Sequence, residues 1–185
     1  MAQYGFYFDM TKCTSCKACV LACSELHDLG VGYNFRKVTN YEGGTFPAVW
    51  TAGLSMACNH CAIPACFAVC AVGAIDKDAE TGLVTIDTEI CIGCRLCEPA
   101  CPYEVPVFIP DAGIADKCDG CKAYVNEGEK PVCVLGCSTR CLDFGDMDEL
   151  QQTYGSANLV KDIGNLPDSS TTNPSILIRP RAEMA

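Results

Sequence analysis

Seventeen of the 185 residues are cysteine, and sixteen of these fall into four groups built to one pattern. Cys13, Cys16, Cys19 and Cys23 are spaced C-x2-C-x2-C-x3-C, and Cys58, Cys61, Cys66 and Cys70 are spaced C-x2-C-x4-C-x3-C. Cys91, Cys94, Cys97 and Cys101 repeat the first spacing, with Pro102 after the last, and Cys118, Cys121, Cys133 and Cys137 are spaced C-x2-C-x11-C-x3-C. Every group opens with C-x2-C and closes with C-x3-C. Three chemistries use cysteine this densely. Disulfide scaffolds suit small secreted domains, but the count is odd, no secretion signal is legible, and cysteines this close do not readily bridge each other. Structural zinc takes pairs of C-x2-C knuckles and has no use for the third and fourth cysteines of each group. The run C-x2-C-x2-C-x3-C-P binds [4Fe–4S] clusters. The third group matches it to the proline, and four variants in one chain select iron–sulfur chemistry.

That chemistry explains the spacing. A cubane takes four thiolates: three come from one tight loop, whose N–H groups can also point at sulfur, and the fourth from elsewhere in the chain. In two-cluster ferredoxins the fourth cysteine of each run ligates the other cluster. The second and third groups are neighbours and form a compact unit, so the first and fourth pair around it. The swap rule then gives four [4Fe–4S] clusters. Cluster one takes Cys13, Cys16, Cys19 and Cys137, and cluster two takes Cys118, Cys121, Cys133 and Cys23. Cluster three takes Cys58, Cys61, Cys66 and Cys101, and cluster four takes Cys91, Cys94, Cys97 and Cys70. Cys141 is left over. Because Cys133 and Cys137 already complete the C-x3-C closing, Cys141 reads as a packed thiol.

The elements that must hold these loops form an α+β fold of two nested bacterial-ferredoxin-like modules. The outer module spans 1–57 and 102–145 with an insertion at 24–57, and the inner module spans 58–101. Residues 3–9 read as a strand entering the first loop. Ala74–Lys77 and Leu83–Asp87 read as a hairpin around a turn at Asp78–Gly82. The insertion holds Tyr33, Tyr41, the Gly43-Gly44 turn and the single Trp, Trp50. Asp146 reads as the N-cap of a short helix to Tyr154, with Glu149 three residues on and Gly155 beyond its end. Residues 146–185 otherwise form a polar, proline-punctuated tail carrying the apolar triplet Ile176-Leu177-Ile178. Alone the triplet has nothing to bury against, so the tail is expected to bind a partner.

Composition excludes other classes. Charged residues are 19% and apolar residues 49%, which is not a disordered composition. A net charge of −10 with 13 Lys and Arg argues against a nucleic-acid partner. No apolar run is long enough to span a membrane. The first thirty residues carry no recognisable signal peptide, so the protein is expected in the cytoplasm or exported folded with a signal-bearing partner. Lys12, Lys17, Arg95, Lys117, Lys122 and Arg140 lie within four positions of a proposed ligand, where cations stabilise the reduced form of a cluster. His27 and His60 read as structural, and no general acid, base or nucleophile stands out.

The sequence resembles the iron–sulfur electron-transfer (beta) subunit of the dimethyl sulfoxide reductase, or molybdopterin oxidoreductase, family. The resemblance runs through Cys58-Asn59-His60-Cys61 with Pro64-Ala65-Cys66, Cys91-Ile92-Gly93-Cys94-Arg95, Cys101-Pro102-Tyr103 and Cys118-Asp119-Gly120-Cys121. It continues in Leu142-Asp143-Phe144-Gly145 and Asn173-Pro174-Ser175-Ile176-Leu177-Ile178. It implies four cubanes in a non-catalytic subunit, a large partner carrying a molybdenum or tungsten bis-pterin cofactor, and often a membrane quinol-linked subunit. Ser24, Ala71 and Ser138 stand where the pattern has proline after the closing cysteine, which bears on loop stiffness and not on ligation. In relatives such as the nitrate reductase β subunit, the position of Cys94 is not cysteine and the cluster there has three irons. Cys94 here implies a fourth. The competing reading is a free-standing soluble polyferredoxin, and a zinc-stapled module, which would be colourless, is a third.

Overall fold

The computed structural model describes residues 2–184. Strand β1 (Tyr4–Asp9) leads through the first cysteine loop into helix α1 (Ala18–Leu26). Strands β2 (Lys37–Gly43) and β3 (Trp50–Met56) form an antiparallel hairpin, so the 24–57 insertion is a folded ribbon. The second loop enters α2 (Ala65–Ala68), followed by the expected hairpin of β4 (Ile75–Lys77) and β5 (Val84–Ile86). The third loop enters α3 (Cys97–Ala100), and β6 (Val107–Ile109) pairs with β7 (Ile114–Asp116). Then come α4 (Lys122–Asn126), α5 (Val132–Leu135), β8 (Leu142–Asp146), α6 (Met147–Tyr154) and β9 (Ile176–Arg179). A 3-10 turn spans Ala182–Met184.

The spine is a three-stranded sheet in the order β8-β1-β9. β1 runs antiparallel to β8, with Phe6 opposite Phe144, and parallel to β9, with Phe8 beside Ile178. Its apolar run is nearly continuous because both faces are covered, the pattern of a strand with no wet side. Phe6 and Phe8 face the main core with Leu54, Leu83 and Phe144, whereas Tyr7 packs with Leu150 and Leu177 under α6. The Tyr7 and Tyr154 rings stack with centroids 3.6 Å apart. α6 starts as read: the Asp146 carboxylate accepts from the N–H groups of Asp148 and Glu149.

One expectation is overturned here. Ile176, Leu177 and Ile178 are not offered to a partner; they are 2%, 6% and 0% exposed as β9 of the protein's own sheet. The reason is the open edge of β1, whose N–H and C=O groups need partners. β9 supplies them together with three apolar side chains. Gly5 makes room, since a Cβ there would strike the Ser175 carbonyl and the Met147 sulfur.

Helix α1 packs on α5 and α2 on α3, which brings the first cysteine group to the fourth and the second to the third. The β6–β7 hairpin, read with the outer module, packs on the third cysteine group instead. The Phe108 N–H donates to Glu98 Oε1 at 2.7 Å, and the Arg95 guanidinium lies 4.9 Å from the centre of the Phe108 ring.

Candidate metal centres

The four cysteine loops share a backbone conformation. The residue just before the second cysteine has positive φ in each: Ser15 at 57°, His60 at 41°, Gly93 at 65° and Gly120 at 75°. Lys17 and Arg95, just after the second cysteine of the first and third groups, also lie there. Alternating handedness turns successive N–H groups toward one side, forming an anion-binding concavity. The Ser15 N–H reaches Cys13 Sγ and the His60 N–H reaches Cys58 Sγ, each at 3.5 Å. Two of the four φ-positive positions before the second cysteine are not glycine. Such strain persists only where the surroundings enforce it, and it marks functional loops.

Each closing C-x3-C begins on a helix. Cys19 and Cys23 lie on α1, whereas Cys70, Cys101 and Cys137 follow the short helices that hold Cys66, Cys97 and Cys133. Residues four apart on a helix share a face one turn apart. Cys19 and Cys23 on α1 therefore share a face one turn apart, and in the other three groups the last cysteine lies just past the helix that holds the third.

The sulfurs gather accordingly. Cys70, Cys91, Cys94 and Cys97 line one pocket, and Cys58, Cys61, Cys66 and Cys101 line another. Each pocket holds about 350 Å³, open mouth included. Cys23 is coupled electrostatically to Cys118, Cys133 and Cys121. Around Cys13, strand β3 makes the wall: a Cβ on Gly53 would meet the Ser15 hydroxyl and Cys13 Sγ, and Ser55 Oγ lies 3.4 Å from Cys19 Sγ. Cys16 Sγ is 3.6 Å from the hydroxyl of Ser138, which follows Cys137. Burial pushes the thiols of Cys61, Cys66 and Cys121 up, to about 11, 12 and 12, and that of Cys23 higher. Metal binding must displace these protons, so thiolate formation and metal binding are linked. Burial also pushes the Cys58 thiol up, but His60 and the Lys117 ammonium beside it outweigh that and bring it to about 6.

Three buried polar groups are aimed between the sulfur sets. His60 accepts the Val84 N–H on Nδ1 at 3.0 Å, which puts its proton on Nε2. Nε2 has no hydrogen-bond partner among the described residues and faces Cys58 and Cys118. His60 is thus structural, as read, but structural to two sulfur sets at once. Lys117 is buried, donates to the Val84 and Cys118 carbonyls, and feels Cys58, Cys118 and Cys66. Arg36 is 1% exposed, and nothing in its sequence neighbourhood marks it. Four of the other five basic residues near cysteines are engaged at the surface. Lys12 pairs with Asp9, Arg95 with Glu98 and Lys122 with Asp78, Arg140 donates to the Leu135 carbonyl, and Lys17 is exposed. His27 sits 3.7 Å from Asp119 and packs edge-on against Phe35.

The residues suit iron–sulfur clusters on their own chemistry: soft sulfur donors in sets, N–H groups turned inward, and buried donor atoms on His60 and Arg36 without partners among the described residues. A ferredoxin-type iron–sulfur protein of mixed α and β structure is the class these features define. Residues 50–147 match the 4Fe-4S dicluster domain family, and residues 10–32 match a 4Fe-4S binding domain. Over 97% of its length the protein is 44% identical to the B subunit of the anaerobic dimethyl sulfoxide reductase of Haemophilus influenzae, covering 90% of that subunit. The corresponding B subunit of Escherichia coli K12 gives the same figures. Protein NrfC of Escherichia coli K12 is 37% identical over 149 residues, 80% of this sequence and 67% of NrfC. The protein belongs to the family of iron–sulfur B subunits of the anaerobic dimethyl sulfoxide reductases. It is an electron-transfer subunit and not a catalytic one.

Proposed function

We propose that the protein carries four [4Fe–4S] clusters in two nested modules, 1–57 with 102–145 around 58–101. Cys13, Cys16, Cys19 and Cys137 hold cluster one, and Cys118, Cys121, Cys133 and Cys23 hold cluster two. Cys58, Cys61, Cys66 and Cys101 hold cluster three, and Cys91, Cys94, Cys97 and Cys70 hold cluster four. The observation that carries the reading is the pairing of α1 with α5 and α2 with α3, which brings each closing cysteine to the partner group. Supporting it, Cys70 lines the same pocket as Cys91, Cys94 and Cys97, and Cys101 the same pocket as Cys58, Cys61 and Cys66.

When bound, the clusters supply one-electron carriers in series. The protein fixes their order. Helix α1 links sets one and two, Lys117 and His60 lie between sets two and three, and the α2–α3 pair links sets three and four. The partners are a large catalytic subunit with a molybdenum or tungsten bis-pterin cofactor and a membrane quinol-linked subunit. Among the described residues no helix is long and apolar enough to cross a membrane. The relatives named as parts of a reductase support an obligate subunit over a free-standing polyferredoxin. Anaerobic purification from the native cell tests both levels. About 16 iron and 16 sulfide per polypeptide are expected, with a molybdopterin-bearing subunit co-purifying. Zinc in place of iron overturns the cluster reading, and an iron-replete protein purifying alone favours the polyferredoxin.

A further inference from the structure

Arg36 lies outside every cysteine group, yet it is among the most deeply buried side chains of the protein. Its guanidinium sits 4.5 Å from the centre of the Phe6 ring and donates from Nη1 to Ser55 Oγ at 3.1 Å. Ser55 Oγ in turn touches Cys19 Sγ at 3.4 Å. Nε and Nη2 are buried with no hydrogen-bond partner among the described residues. The thiols acting on the group are those of Cys133, Cys118, Cys19 and Cys23. Cys19 belongs to set one and the other three to set two. A buried guanidinium stays charged at every accessible pH, and an uncompensated charge in the interior is strongly unfavourable. No carboxylate among the described residues pairs with Arg36 in a salt bridge.

Lys117 repeats the arrangement one junction along. Its ammonium is buried, donates to the Val84 and Cys118 carbonyls, and acts on Cys58 and Cys66 of set three and Cys118 of set two. The third junction differs. Between Cys66 and the pocket of set four lie Ile75, Val84 and Ala115, with no buried cation among the described residues.

We propose that Arg36 and Lys117 are built-in counter-charges: Arg36 is shared by clusters one and two, Lys117 by clusters two and three, and cluster four has no buried one, since the Arg95 that lines its pocket is exposed and paired with Glu98. The proposal rests on the cluster assignment above. Each cluster with its thiolates is anionic and becomes more so on reduction. A fixed cation in a medium of low dielectric therefore favours the reduced form and raises the potential. The Nε and Nη2 groups of Arg36, without partners among the described residues, are donors that a cluster sulfur would accept from, and such bonds would act in the same direction.

The test is a redox titration of the iron-replete full-length protein, followed by EPR, in wild type and in Arg36→Gln and Lys117→Gln. Four one-electron waves are expected. Arg36→Gln should move two waves to lower potential by at least about tenfold in the reduction equilibrium, which is about 59 mV for one electron. Lys117→Gln should also move two. One wave should respond to both variants and one to neither, a pattern that needs no prior assignment of signals. If all four waves stay in place with full iron, the inference fails while the cluster assignment stands. If wild type itself lacks the iron, the assignment fails first. If Arg36→Gln sheds iron, Arg36→Lys decides: retained iron with wild-type waves shows that the charge is what was missing. Iron lost from Arg36→Lys as well shows that Arg36 serves packing alone, and overturns the proposal.

Discussion

The Sγ of Cys141 lies 3.3 Å from the Sγ of Cys137, and the Cys141 N–H also donates to Cys137 Sγ at 3.3 Å. Cys141 is buried, and its thiol acts on Cys13 as well, drawing the Cys13 thiol below its ordinary range. The seventeenth cysteine is therefore packed, as its place outside the spacing pattern implies, but packed against two proposed ligands. Cys141→Ala should keep the iron count at the wild-type value, as measured by anaerobic iron and sulfide analysis. Loss of about four irons would show that Cys141, and not Cys137, is the ligand. Cys137→Ala should keep more iron than Cys137→Ala/Cys141→Ala, because the spare thiol is within one side-chain rotation of the vacant corner.

Cys94 is exposed, whereas Cys97 of the same set is buried. The corner it would hold is the one solvent reaches. Cys94→Ser should yield a three-iron signal in the EPR spectrum of the oxidised protein and leave the other three clusters in place. An unchanged spectrum with full iron refutes the assignment of Cys94.

Removing residues 164–185 should cost the protein its fold, not merely a partner contact. Burying Ile, Leu or Val side chains contributes roughly 1.5–3 kcal/mol each, so β9 carries an amount comparable to the stability of a typical domain, about 5–15 kcal/mol. The truncated protein should be insoluble or retain well under half of its iron. A soluble, fully loaded truncation would show that the β1 edge tolerates exposure.

The Lys122 ammonium, 2.8 Å from Asp78, holds that carboxyl well below the usual carboxylate range, helped by the N–H groups of Thr81 and Glu80. The pair ties the β4–β5 turn to α4. A depressed carboxyl stabilises the fold above its unfolded pKa of about 3.9, and that stability is lost as pH falls toward the folded value. The pair is partly exposed and screened, so Asp78→Asn should lower stability at neutral pH by at most about 1 kcal/mol. In denaturant unfolding, the gap between variant and wild type should be full at about pH 6–7 and narrow below about pH 4. A gap that widens with acid contradicts the assignment.

What the sequence discloses and what it hides divide along contact range. The four groups, the β4–β5 hairpin and the capped helix α6 are encoded in neighbouring residues, and all are legible. The β9 pairing is not, because a three-residue apolar run gives no hint of which edge it completes, and β1 lies far from it along the sequence. Lys117 is legible because it adjoins Cys118. Arg36 is not, because it sits between α1 and β2, outside every cysteine loop, and reaches the sulfurs only through the fold. The other basic residues near cysteines show the converse: closeness in sequence put them beside a loop and left them on its wet side.

The pairing of β1 with β9 also orders events in time. β1 is synthesised well before its neighbour β9, and all four cysteine groups lie between them. The sheet therefore stays open on one side until every ligand loop has left the ribosome. Contacts this distant in sequence form late and slowly. During that interval the cysteine loops stand on a scaffold that lacks one strand of its sheet. Arrival of Ile176–Arg179 closes the sheet.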